Sequence, residues 1–186
     1  MIDLTLLARI RIEPLDRNTH DRAAFSCGEP RIDNYISKSA ANHQADHITR
    51  VRVGCLDTTY DVIAFYALNA HSIDVTTLPQ NLQKKLPRFP SVPAVYLSML
   101  GVHSELQGKG LGKFMMADAF KQAALASETI GACFLVLDAL NDDAARMYAS
   151  LKFVPLPSNP QRMILNMSQI VAAHKAATTT PLILAP

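Results

Sequence analysis

The sequence predicts a mixed α/β fold, and three observations carry the prediction. A strand-like run, Val95–Val102, ends in a glycine-rich turn, Gln107-Gly108-Lys109-Gly110-Leu111-Gly112. Behind the turn, Leu111, Phe114, Met115, Ala119 and Phe120 recur at helical spacing, giving an amphipathic helix over Leu111–Ser127. A buried strand, Cys133–Leu137, and a further helix to Ser150 follow, so helical and strand patterns alternate around one sheet.

Taken in order, Leu4–Leu15 reads as an opening strand with one wet face: Leu6, Ala8, Ile10 and Ile12 against Arg9, Arg11 and Glu13. Pro14 ends it. Thr19 or Asp21 caps a short helix through Phe25, and Gly28-Glu29-Pro30 punctuates. A second helix runs from about Pro30 to Asp46, with Ile32, Tyr35, Ile36 and Ala40 on one face. Arg50–Leu56 and Asp61–Ala70 form a hairpin, in which Val51, Val53 and Cys55 turn inward and Arg50 and Arg52 face solvent or a partner. Leu78–Leu86 is a short helix behind Pro79. Asp138 or Asn141 caps the helix that ends at Ser150, and Phe153-Val154 and Met163–Met167 are short strands. Residues 1–167 are expected to form one domain, and 168–186 a tail. In the tail Ile170, Val171 and Ala173 allow a short helix, Thr178–Pro181 reads as flexible, and Leu182-Ile183-Leu184 is apolar enough to dock on this chain or a partner.

Bulk properties narrow the function. With 186 residues, 49% of them apolar and 18% charged, the chain can bury a real core and is not disordered. A net charge of +2 does not indicate a strongly basic nucleic-acid binder, so local clusters must carry any such role. Cys27, Cys55 and Cys133 lack metal-ligand spacing and fit a reducing cytosol; no metal is expected. No leader pattern opens the chain and no apolar run reaches membrane length, so a cytoplasmic protein without membrane contact is expected.

The glycine turn joins a strand to a helix N-terminus and so aims several backbone N–H groups into one small volume, a cradle suited to phosphate or pyrophosphate. It lacks the Lys-Ser/Thr pair of a magnesium-nucleotide loop and the glycine spacing of a dinucleotide site. A plain tight turn is the rival reading. Gln-x-x-Gly-x-Gly in this setting resembles the coenzyme A pyrophosphate loop of the GCN5-related N-acetyltransferases. Asn141-x-x-Ala144-x-x-x-Tyr148-x-x-x-Lys152-Phe153 resembles that family's second signature. The resemblance implies a mixed, mostly antiparallel central sheet flanked by helices, with a splayed central strand pair. It implies acetyl-CoA as cofactor, held by Gln107, Gly108, Lys109, Gly110, Leu111 and Gly112, by the backbone at Leu100, Gly101 and Val102, and by Asn141 and Ala144. It makes Tyr148 the general acid that protonates the leaving thiolate. A core tyrosine and a helix N-cap are the plainer readings of Tyr148 and Asn141. No carboxylate is evidently placed as general base: Glu105 reads as solvent-facing, and His103 is ambiguous. A water suffices if the acceptor amine titrates near neutrality, as an α-amine on an esterified amino acid does.

The first half narrows the family. Leu15-Asp16-Arg17-x-x-His20-Asp21-Arg22-x-x-Phe25-x-Cys27-Gly28, Ile32-Asp33-x-Tyr35-Ile36, Ile63–Leu68 and Leu86–Pro90 resemble the acetyltransferase toxins of bacterial type II toxin–antitoxin modules. That resemblance spans about Leu15 to Met167. It implies transfer of acetyl to the α-amine of aminoacyl-tRNA, which blocks translation, and a ribbon-helix-helix antitoxin as partner. Ser26, Ser98-Met99, His103 and Lys152 depart from the commoner residues of these proteins. Arg88, Lys84, Lys85, Arg22 and Arg17 are the candidate tRNA contacts, with Arg50 and Arg52 on the hairpin. Exposed apolar residues on the last strand and tail suggest a symmetric homodimer. An acetyltransferase for a small amine or a protein N-terminus would share the loop and Tyr148 but favour an acidic or closed acceptor pocket. A non-enzymatic module on a degenerate fold would not need an intact loop.

Overall fold

The computed structural model describes residues 2–179, with the side chain of Thr179 left aside; Leu182-Ile183-Leu184 lies outside the described residues. Seven strands form one sheet in the order β1-β2-β3-β4-β5-β7-β6. They are β1 (Ile10–Pro14), β2 (Arg50–Leu56), β3 (Ala64–Asp74), β4 (Ser91–Val102), β5 (Phe134–Asp138), β6 (Val154–Leu156) and β7 (Asn159–Asn166). The pairs β1–β2, β2–β3, β5–β7 and β6–β7 are antiparallel. The mixed α/β sheet expected from the sequence is therefore present. The described residues divide into two compact units, 2–69 with 97–119, and 70–96 with 120–179.

In the first unit the chain opens differently from the expected strand. Asp3 accepts a hydrogen bond from the Leu6 N–H at 2.9 Å and caps a one-turn helix, α1 (Leu4–Leu7); the strand starts only at Ile10. The expected helix at Asp21–Phe25 is also absent. The Asp16 and Asp21 carboxylates accept from the backbone N–H groups of Asn18 and Ala23, each at 2.8 Å, and such local bonds compete with helix. Asp21 then forms a parallel bridge with Asp61 instead. Buried His20 locks the turn. Its Nδ1 accepts from the Asp16 N–H at 2.9 Å, and its Nε2 lies 3.0 Å from Glu13. The His20 bond, with Arg11 behind it, holds the Glu13 carboxyl below its ordinary range against the opposing effect of burial.

The helix expected at Pro30–Asp46 forms with a change of pitch. Helical residues Pro30–Asn34 (α2) pass into a π-helical stretch, Tyr35–Ser39, and then α3 (Ala40–Ala45). Its apolar face, Tyr35, Ile36, Ala40 and Ala41, joins Val51, Val53, Cys55 and Phe65 in one core cluster. The alternate residues of the same strands face the long helix α5 (Leu111–Ile130). There Asp118 accepts from Arg52 Nε at 2.7 Å and from the Tyr66 hydroxyl at 2.6 Å. A Cβ on Gly54 would stand 3.2 Å from Met115 Sδ, so helix and strand approach closely at that glycine. Arg52 is thus committed inside the fold, which corrects its expected solvent- or partner-facing role.

In the second unit Ile73, Leu78, Val92, Ala94, Phe134, Val136, Leu156 and Ile164 form the core cluster. The helix expected behind Pro79 is the single turn α4 (Gln80–Gln83). Helix α6 (Asp142–Ser150) is capped by Asn141. Phe153, just past its end, stacks on Phe120 of α5 with ring centroids 6.1 Å apart. Asn166 Oδ1 accepts from the Ser168 N–H at 3.1 Å and starts α7 (Met167–Thr179), whose Ile170 is buried.

Candidate active site

The glycine turn is built from both of its flanks. After β4, a 3₁₀ turn at Ser104–Leu106 is capped by His103, whose Nδ1 accepts from the Glu105 N–H at 3.4 Å. That role, and an edge-on contact with the Phe25 ring at 6.2 Å, give His103 a structural use. The Gln107 side chain donates from Nε2 to the Cys27 carbonyl at 2.9 Å and to the Val102 carbonyl at 3.0 Å. Gln107 therefore fastens the loop to the end of β4, and its own N–H is spent on the Ser104 carbonyl at 3.3 Å. Gly108 and Gly110 have φ of +75° and +91°, a conformation that disfavours any side chain. A Cβ on Gly108 would meet nothing within 4 Å; one on Gly110 would lie 3.2 Å from Ile2. The Asp3 N–H donates to the Lys109 carbonyl at 3.1 Å, so the N-terminal segment also braces the loop. Leu111 buries its side chain as the anchor of α5, and the first turn of that helix carries N–H groups with no intrahelical acceptor. The positive end of the α5 dipole adds to this cradle.

Gly101 is needed for a reason the sequence did not reveal. A Cβ there would stand 2.9 Å from Ile32 and Phe65 and 3.0 Å from Phe25, all core side chains. Gly101→Ala should cost about 1–3 kcal/mol by overpacking. Urea denaturation should show it as a lower midpoint at unchanged slope; an unaltered midpoint would mean that the aromatic pair yields freely.

In the second unit Asn141, Ala144 and Tyr148 fall at helical spacing on one face of α6. Asn141 Oδ1 accepts from the Ala144 N–H at 2.9 Å, so the N-cap reading of Asn141 holds. Tyr148 is 7% exposed, with its ring edge-on to Phe153 at 5.7 Å. Burial pushes its phenol up to about 12. Among the described residues its hydroxyl has no hydrogen-bond partner. Lys152 takes the left-handed conformation, φ 73°, at the end of α6, which explains why a glycine would also serve there. Burial first, then Asp33, raises the Cys27 thiol to about 11, so it has no thiolate character at neutral pH.

The candidate basic residues separate. Arg17 donates to Asn42 Oδ1 at 2.8 Å, and Arg22 has a buried Nε without a partner; both lie in the first unit. Lys84, Lys85 and Arg88 are exposed in the second. Sequence reasoning passed over two further cations. Arg31 and Lys38, with Asn34, Tyr35, Ser39 and Met99, line an open cavity of about 550 Å³. Their seven-residue spacing was the available signal, obscured because the apolar face of the same helix dominated the pattern. Among the described residues no cluster of three His, Cys, Asp or Glu could hold a metal ion, and no helix is long and apolar enough to cross a membrane.

Comparison with known proteins decides what this framework is. The model of the acetyltransferase (GNAT) family matches residues 84–153. A relative described as "Probable toxin TacT" from Sinorhizobium fredii is 39% identical over 86% of this chain and 92% of its own. A "tRNA-acetylating toxin" from Mycobacterium tuberculosis is 33% identical over 79% of this chain and 86% of its own. The chain belongs to the acetyltransferase (GNAT) family. It is an acetyl-CoA-dependent acetyltransferase, and its mixed sheet flanked by helices is the fold of that family. The acetyltransferase is also similar to a solved structure of AtaT complexed with acetyl-methionyl-tRNAfMet. That similarity has a TM-score of 0.81 at 28% identity over 88% of this chain and 98% of that one. The loop fits the cofactor's pyrophosphate. Gly108 leaves open space where a side chain would intrude, and helix N–H groups stand next to it.

Proposed function

We propose that the enzyme transfers acetyl from acetyl-CoA to the α-amine of aminoacyl-tRNA and so acts as a toxin that stops translation. The observation that carries this reading is the 33% identity, over 79% of the chain, with a tRNA-acetylating toxin. The likeness to AtaT with an acetylated methionyl-tRNA supports it. Acetyl-CoA supplies an electrophilic thioester carbonyl. Gly108 to Gly112 bind the pyrophosphate through backbone N–H groups, and the backbone at Leu100–Val102 receives the pantetheine arm, as do Asn141 and Ala144. Tyr148 is the general acid. A phenol displaced to about 12 keeps its proton at every physiological pH, so it donates and does not accept. The C–N bond forms as the C–S bond breaks, the sulfur takes the phenolic proton, and water removes the proton from the amine. A cytoplasmic location, a ribbon-helix-helix antitoxin and a homodimer complete the proposal, as does the division into a catalytic domain, 1–167, and a tail.

Incubation with labelled acetyl-CoA and charged total tRNA tests it. Label should appear on aminoacyl-tRNA and be lost on mild alkaline release of the amino acid, as the N-acetyl amino acid. Label confined to small amines or peptide N-termini would replace this acceptor with another.

A further inference from the structure

The cavity on the helical layer of the first unit has no part in cofactor binding as described above. Arg31, Asn34, Tyr35 and Lys38 line it from consecutive turns of the α2–π-helix segment, with Ser39 beside them and Met99 of β4 opposite. Arg31 and Lys38 are both exposed, and among the described residues neither forms an ion pair or a side-chain hydrogen bond. Asp33, two residues from Arg31 and five from Lys38, is already committed. Its carboxylate accepts from the Cys27 N–H at 2.8 Å and from the Ser26 hydroxyl at 3.2 Å. Two cations without an ion-pair partner among the described residues therefore line one open concavity.

The helix is locally re-pitched at this place. The stretch Tyr35–Ser39 is π-helical, and such turns are frequent at functional sites. The widened turn is anchored from below: Tyr35 is buried, its hydroxyl bonded to Thr49 Oγ1 at 3.2 Å, and Ile36 is fully buried. The cavity wall is thus anchored to the core, while its charged tips are exposed. A volume of about 550 Å³ lies within the range of small-ligand sites. Met99 stands one residue before Leu100–Val102, so the cavity opens beside the strand segment proposed to receive the pantetheine arm.

We infer that Arg31 and Lys38 form a phosphodiester-binding site for the single-stranded acceptor end of the charged tRNA, delivering its terminal ester toward β4. The inference rests on the acceptor reading proposed above. Two cations in one concavity suit adjacent backbone phosphates, and such contacts release counterions on binding.

The test uses the full chain with Arg31→Ala and Lys38→Ala combined, together with the charge-preserving pair Arg31→Lys and Lys38→Arg. Acetylation of charged total tRNA is measured from 50 to 200 mM salt, alongside acetylation of amino-acid methyl esters, which lack phosphate. The alanine pair should raise KM for charged tRNA about tenfold or more, and the salt slope should fall by about 1.4, the single-strand value for two phosphates. Rates with methyl esters and KM for acetyl-CoA should stay unchanged, and the charge-preserving pair should recover most of the tRNA activity. An unchanged KM and slope for charged tRNA would overturn the inference and leave the acceptor reading standing. An equal loss with methyl esters would also overturn it, since the residues would then shape the catalytic site generally. A wild-type enzyme that acetylates the esters and no charged tRNA would remove the acceptor reading itself.

Discussion

Tyr148→Phe should lower kcat by a hundredfold or more and leave acetyl-CoA affinity within about twofold, since positioned proton transfer is commonly worth 10²–10⁴. The substitution removes one oxygen that has no hydrogen-bond partner among the described residues. The ring's contact with Phe153 and its burial survive, so stability should hardly change. The pH profile separates the proposed role from a base role. With the phenol near 12, its protonated fraction is constant across the neutral range. The rate should therefore rise with pH only as the acceptor amine loses its proton, near 7.7–8.0 for a model α-amine and lower for an esterified one. It should show no falling limb below about pH 10, which is well under the phenol's displaced value. Isothermal titration with acetyl-CoA and initial rates from pH 6 to 10 measure both. Undiminished turnover in the phenylalanine variant would end the general-acid assignment, and a falling limb near neutrality would mean that another group supplies the proton.

What the sequence could disclose follows from periodicity. The strand into the glycine loop, the helix after it and the Asn141-capped helix all have strong patterns or defined caps, and all stand where expected. The errors occur where side chains compete with the backbone. Asp3, Asp16 and Asp21 each capture a nearby N–H, which creates α1 and removes the expected short helix; alternation and cap residues alone do not distinguish those outcomes. The π-helical stretch was illegible because one inserted residue leaves the apolar face nearly intact. The functional residues divide in the same way. The loop glycines were visible as glycines, but Gln107 proves to be a fastener and Gly101 a packing necessity, and both depend on partners distant in the chain. Arg31 and Lys38 were hidden because two cations on a wet helix face look like any solvated surface until the cavity between them is seen.

The long helix that presents the loop is itself held by one polar cluster, and its removal should produce the largest stability change. Asp118 lies seven residues along α5 from Leu111 and accepts from both Arg52 and Tyr66. Tyr66 is fully buried, and the Arg52 and Asp118 side chains are 21% and 15% exposed, so the pair is only weakly screened. Asp118→Ala takes the acceptor from Arg52 Nε and from the Tyr66 hydroxyl, while Arg52 Nη2 keeps its bond to the Ile12 carbonyl at 3.1 Å. Breaking such a pair from one side costs about 3–5 kcal/mol. At about 2–4 °C per kcal/mol for a chain of this size, Tm should fall by roughly 6–20 °C. Tyr66→Phe should cost only about 1 kcal/mol, because the ion pair survives and only one hydrogen bond is lost. Arg52→Met combined with Asp118→Leu should recover much of the loss, since an apolar pair of similar volume removes the stranded charge. Because the cluster seats α5 against β2 and β3, the single alanine variant should also weaken acetyl-CoA binding by loosening the helix start, while the apolar double variant should restore it. Calorimetry and cofactor titration on the three variants check this. An alanine variant as stable as wild type would mean that Met115 and the buried alanines of α5 dock the helix unaided.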